Sequence, residues 1–241
     1  MAGHSKWAQI KRQKGAADIK RGATFSKLSN AITLAARNGT DPDMNFQLRI
    51  AIDRAKAANM PKDNIDRAID RVKNSANALE EILFEAYGPA GTAYLIECAT
   101  DNRNRTIGEI RATLNKLGGK LAESGSVGYL FKQVGQITID TENPEEIELE
   151  AIDEGATDVD VSGNTVFVYT EAKELEQVRK QLLEKNIPLG EVTLEWISLS
   201  SIPITEKSTA QKVIKLTDAL DELDDVTKVH PNFEINQDLL S

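Results

Sequence analysis

QITIDTENPEEIELEAIDEGATDVDVSGNTVFVYTEAKELEQVRKQLLEKNIPLGEVTLEWIS, the stretch from Gln136 to Ser198, decides the fold. It reads as strand Gln136 to Asp140, helix Glu145 to Glu154, strands Asp158 to Val161 and Thr165 to Tyr169, helix Ala172 to Lys185, and strand Val192 to Ser198. That is a complete β-α-β-β-α-β series, the pattern of a ferredoxin-like sandwich in which two helices cover one sheet face. Working outward, Glu81 to Tyr87, Ala93 to Thr100 and Val127 to Phe131 read as strands, and Arg105 to Leu117 as a helix stopped by Gly118 and Gly119. This outer series lacks a last helix and strand. Both come after Pro203, as helix Thr209 to Leu223 and strand Thr227 to Ile235, which implies that one sandwich is inserted into a loop of another.

Ahead of the sheets the periodicity is helical. Phe25, Leu28, Ile32 and Ala35 predict a helix from about Asp18 to Arg37, with Asn38-Gly39 as its stop. Asp41-Pro42 offers a cap and first-turn proline for a second helix carrying Leu48, Ala51, Ile52 and Ala55. Pro61 opens a third, with Ile65, Ala68, Ile69 and Val72 on one face. The small polar run Asn74 to Ala78 then reads as a linker. The expected fold class is α+β, a helical N-terminal domain followed by two ferredoxin-like domains, one inserted in the other. The expected domains are 1–75, 79–132 plus 203–241, and an acidic insert over 133–202.

Charge is divided along the chain. Residues 1–73 carry a net +8 and the remainder −17, within an overall −9 for 241 residues. An acidic body disfavours general adhesion to polyanions, so a basic segment at one end reads as a local polyanion-seeking arm. The composition, 40 % apolar and 28 % charged, is that of a folded chain rather than a disordered one. The single cysteine, Cys98, sits in an apolar run, which points to a reducing cytoplasm and an inert thiol. No apolar stretch approaches the roughly 20 residues of a membrane span, and the N-terminus lacks the apolar core of a signal peptide.

Signals for catalysis, for a metal and for a cofactor are missing: no phosphate-cradling loop, dinucleotide glycine fingerprint or zinc helix occurs. His4 and His230 lie at opposite ends, and neither has a carboxylate or cysteine at ligand spacing. The acidic run Glu142 to Glu150 reads as a solvated helix face. The arm is the better candidate. Lys6, Lys11, Arg12, Lys14, Lys20, Arg21 and Lys27 surround Trp7, a mixture of cations for phosphates with a flat face for bases. The bland alternative is that Trp7 pins a tail to the body and the lysines are merely solvated. The helical domain adds a partly cationic face of Arg49, Arg54, Lys56, Lys62, Arg67, Arg71 and Lys73, diluted by Asp53, Asp63, Asp66 and Asp70. A second candidate is Thr100-Asp101-Asn102-Arg103-Asn104-Arg105-Thr106, where Arg103 and Arg105 flank a helix start able to hold an anion. Ordinary capping would account for the Asx residues equally. Gly88-Pro89-Ala90-Gly91 and Gly125-Ser126-Val127-Gly128 read as structural turns.

Several of these motifs stand in an order that resembles the YebC/PmpR family: Met1-Ala2-Gly3-His4-Ser5-Lys6-Trp7, Asn59-Met60-Pro61-Lys62-Asp63-Asn64-Ile65, Tyr87-Gly88-Pro89, Thr100 to Thr106, and Gly125-Ser126-Val127. Gln9 and Gln13 in the arm, and a linker without glycine or acid, depart from the family pattern. The resemblance implies a three-domain protein and a DNA-binding transcriptional regulator, with His4 joining the arm residues at the nucleic-acid interface. It also implies an alternative, a ribosome-bound translation factor acting at proline-rich stalls, for which rRNA is the partner. A scaffold whose acidic sandwiches bind basic proteins is a third reading. None of the three involves a membrane or a small-molecule substrate.

Overall fold

The computed structural model describes residues 21–74 and 79–235. Helix α1 (Arg21–Ala35) runs into a tight turn at Ala36–Asn38 and stops at Gly39, whose φ of 135° only glycine adopts without strain. Helix α2 (Phe46–Ala57) starts later than Asp41-Pro42 suggested, because Asn45 makes the better cap. Its Oδ1 accepts the Leu48 N–H at 3.1 Å while its amide donates to the Ala35 and Gly39 carbonyls at 2.7 Å each. One buried side chain thus closes the end of α1 and opens α2, where a cap alone contributes about 1 kcal/mol. Helix α3 (Lys62–Asp70) follows Pro61. Ile32, Leu48, Ala51, Ile52, Ala55, Ile65 and Ala68 form the core of the three helices.

The first sheet has the order β3-β1-β2-β9, all antiparallel, with β1 (Glu80–Tyr87), β2 (Ala93–Thr100), β3 (Lys120–Leu121) and β9 (Val226–Pro231). Helices α4 (Arg103–Lys116) and α7 (Lys207–Asp221) cover one of its faces. Phe84, Ala86, Tyr94, Ile96 and Cys98 on the strands meet Ile110, Leu114, Val213, Leu216 and Leu220 on the helices there. The second sheet, β5-β6-β4-β7, comprises β4 (Phe131–Asp140), β5 (Asp158–Ser162), β6 (Thr165–Glu171) and β7 (Val192–Ser198). Its helices are α5 (Pro144–Asp153) and α6 (Leu175–Glu184), packed on Ile137, Ile139, Val166 and Val168. Each β-α-β unit of this sheet straddles a strand of the other, as the sandwich pattern requires. A short parallel pair, β8 (Ile202–Ile204) with β10 (Phe233–Ile235), completes the described elements.

The fold is α+β, a helical region followed by sheet-bearing units, but the first sheet reaches its four strands by another route. It opens with the β1–β2 hairpin and gains β9 only after the chain has left for the second sheet and returned. The strand expected at Val127 to Phe131 is a tight turn at Gly128–Leu130, and Phe131 already belongs to β4. The cause is Glu85 of β1, which is 8 % exposed. Its carboxylate accepts N–H groups from Gly125 at 2.7 Å, Val127 at 2.5 Å and Gly128 at 2.8 Å. Burial opposes its ionisation, but these backbone donors outweigh that and lower its pKa. These three amides therefore point at a carboxylate and cannot enter a strand ladder.

Candidate nucleic-acid interface

The run Thr100 to Thr106 makes the β2-to-α4 junction. Asn102 caps α4, accepting the Arg105 N–H at 3.1 Å, and Thr100 Oγ1 accepts the Asn102 N–H at 2.9 Å. The junction then closes on Asp225, just ahead of β9. Its Oδ2 accepts from Thr100 Oγ1 at 3.0 Å, Thr106 Oγ1 at 2.7 Å and Arg105 Nη2 at 2.9 Å. The same guanidinium reaches Asp101 at 2.9 Å. Burial alone would raise the pKa of Asp225, yet the donors from Thr106, Arg105 and Thr100 hold it below the ordinary 3.8. Arg105 is thus a bridge whose charge two carboxylates balance, and the expectation of two arginines flanking one open anion site is corrected to that extent. Arg103 is exposed and has no ion pair among the described residues, so it is the available cation of the two.

Of the arm residues, His4, Lys6, Trp7, Lys11, Arg12, Lys14 and Lys20 lie outside the described residues. Arg21 stands at the first position of α1. Lys27, half-buried, donates to the carbonyl of Asp221 at the C-terminus of α7, where the helix dipole favours a cation. The helical domain is turned toward the body elsewhere too. Arg49 pairs with Glu176 of α6 at 3.2 Å and Arg54 with Glu191 at 3.0 Å. On the same helix Phe46 and Ile50 pack against the core of the second sheet. Two cations that the sequence placed on an open polar face therefore serve as contacts between α2 and the second sheet with its helices. Opposite charge in the two segments was the available signal, but spacing cannot match residues 127 positions apart.

A cluster that sequence reasoning missed lies where the two sheets meet at β7 and β9. His230 is 2 % exposed. Its Nε2 lies 3.3 Å from Glu97 and its Nδ1 3.2 Å from Glu195, both out of hydrogen-bond alignment. Lys228 contacts the Glu195 carboxylate and donates to Thr193 Oγ1 at 2.9 Å and the Leu194 carbonyl at 3.1 Å. Burial disfavours the imidazolium, but the carboxylates of Glu195 and Glu97 outweigh it and raise the His230 pKa. No local pattern around His230 announces partners on β2 and β7. Among the described residues, no group of three or more His, Cys, Asp or Glu could hold a metal ion, and no helix is long and apolar enough to cross a membrane.

The fold and contacts define a class: a helical region tied by ion pairs and apolar packing to an α+β body of two antiparallel sheets, with basic sequence concentrated at one end. The chain belongs to the TACO1/YebC family, since residues 5–75 match the model of the TACO1/YebC protein N-terminal domain and residues 79–233 that of the TACO1/YebC second and third domain. It is 46 % identical to a "Probable transcriptional regulatory protein" of Halothermothrix orenii over 247 residues, covering 100 % of this chain and 98 % of that one. A protein of the same name from Chloroflexus aurantiacus is 47 % identical over 249 residues, with 100 % and 98 % covered. The crystal structure of a conserved hypothetical protein from Aquifex aeolicus superposes with a TM-score of 0.90 at 42 % identity, over 98 % of this chain and 100 % of that one.

Proposed function

We propose that this protein is a non-enzymatic, cytoplasmic regulator of gene expression that binds nucleic acid through its basic N-terminal arm and acts on transcription, in keeping with relatives named "Probable transcriptional regulatory protein". The observation that carries the reading is the disposition of charge. Lys27, Arg49 and Arg54 are directed at the body. The densest positive sequence that remains is Lys6 to Arg21, with Trp7 in its midst and one acid, Asp18. The helical domain then acts as a mount for the arm, and Arg103 adds a cation at the start of α4.

One observation favours the second reading, a ribosome-bound translation factor. Helix α2 lies against the second sheet unit through Arg49 and Arg54, and that face is not free to enter a major groove. Recognition by arm and backbone contacts suits folded RNA as well as duplex DNA. Crosslinking in intact cells followed by sequencing separates the two: promoter fragments support transcription, and rRNA at a fixed position supports translation. In vitro, about four to six engaged cations predict a log-log salt slope of roughly −4 to −5 on duplex DNA. A slope near zero, or undiminished affinity after deletion of residues 1–17, would refute the arm as the binding element.

A further inference from the structure

We propose that Tyr87 and Tyr129, with Lys120 beside them, form a second contact for nucleic acid: a platform on which unpaired bases stack. The inference rests on the nucleic-acid reading above and locates a different surface for it. Tyr129 is 72 % exposed and Tyr87 42 %, and Leu199, 62 % exposed, is held next to Leu130, its N–H donating to the Leu130 carbonyl at 2.7 Å. Isolated exposed apolar side chains need no explanation, but two tyrosines and a leucine around one loop form a patch. The loop is rigid for reasons already given. Glu85 gathers its amides, Val127 is fully buried against Ala93, Leu95 and Phe131, and the Tyr87 hydroxyl donates to the Ser126 carbonyl at 3.2 Å. A fixed aromatic face loses little entropy when a base stacks on it.

Charge selects the occupant. Lys120 is the direct cross-strand partner of Tyr87, so both side chains emerge on the same sheet face, and Lys120 is exposed. Lys120 has no ion pair among the described residues. A free cation beside exposed aromatic faces fits a phosphodiester chain carrying unpaired bases.

The test uses the full-length protein, with fluorescein-labelled oligo(dT), oligo(rU) and a mixed-sequence duplex as probes. Tyr129→Ala should weaken binding to the single strands roughly 5- to 100-fold, leave duplex affinity within about twofold, and be rescued by Tyr129→Phe. An oligonucleotide bearing 5-iodouracil should crosslink to the tryptic peptide Leu121–Lys132 that contains Tyr129. The rU and dT arms distinguish RNA from DNA as the source of the bases. A Tyr129→Ala protein with unchanged single-strand affinity, or crosslinks confined to other peptides, overturns the platform. If Lys11→Glu/Arg12→Glu still weakens binding in that case, the arm reading stands without it. If wild type binds no probe in a salt-dependent way, both fall.

Discussion

Replacing Asp225 by alanine should be among the most damaging single changes in the first sheet, although the residue is a surface-type amino acid in a turn. Thr100 and Thr106 are each 1 % exposed, and both hydroxyls donate to Asp225 Oδ2. Removing the carboxylate takes away the acceptor that both share; Thr106 can fall back on the Asn102 carbonyl at 3.1 Å, and each group not re-satisfied costs about 1–3 kcal/mol. With one partly rescued by relaxation, the loss is about 3 kcal/mol, or roughly 6–12 °C in melting temperature for a chain of this size. Asp225→Asn keeps an oxygen for one hydroxyl and should lose about half as much. Arg105→Ala should melt nearer to wild type, because its side chain is 45 % exposed and water replaces the lost partner. Sign follows from the lowered pKa of Asp225: its contribution is present above the ordinary 3.8 and is lost as pH falls through the lower folded value, so Asp225→Asn should flatten that acid limb. Thermal unfolding followed by circular dichroism measures all three variants. An Asp225→Ala protein melting within about 1 °C of wild type would refute the reasoning.

The His230 cluster predicts the opposite pH sense. Its pKa is raised above 6.5, so the attraction to Glu97 and Glu195 is fully present below 6.5 and is lost as pH rises through the folded value. Urea unfolding from about pH 6 to 9 should show wild type losing stability that His230→Gln does not lose, and parallel curves would remove the cluster from the account. Burial pushes the Cys98 thiol up to about 12, so the native protein should resist a disulfide reagent near pH 8 and react only on unfolding. Rapid native labelling would contradict that burial. Gly88→Ala places a Cβ 2.3 Å from Tyr94 Cε2 and 2.7 Å from Thr92 Oγ1, for an expected loss of about 1–3 kcal/mol in equilibrium unfolding, while a neutral result would show that Tyr94 can move.

Much of this architecture was legible because it is local. The three helices announce themselves by apolar spacing, and the second sheet by a series of elements whose order alone implies the sandwich. Where the reading slipped, a competing side chain had intervened. Asn45 took the cap expected of Asp41, since only Asn45 also reaches Ala35 and Gly39. The expected strand at Val127 became a turn because Glu85, some 40 residues earlier, collected its amides.

The sequence by itself determined the α+β class, the segregation of positive charge at one end, the family, and the motif at Thr100 to Thr106. Tertiary structure alone decided which charges are free. Arg105 is claimed by Asp225, Arg49 by Glu176, Arg54 by Glu191, and His230 is held between two carboxylates on different sheets. Periodicity encodes which face of an element is buried, because that depends on neighbours three or four positions away. Ion pairs form between side chains brought together by chain reversal, at separations with no period, so a basic sequence tells how much charge there is and the fold tells how much of it a polyanion can reach.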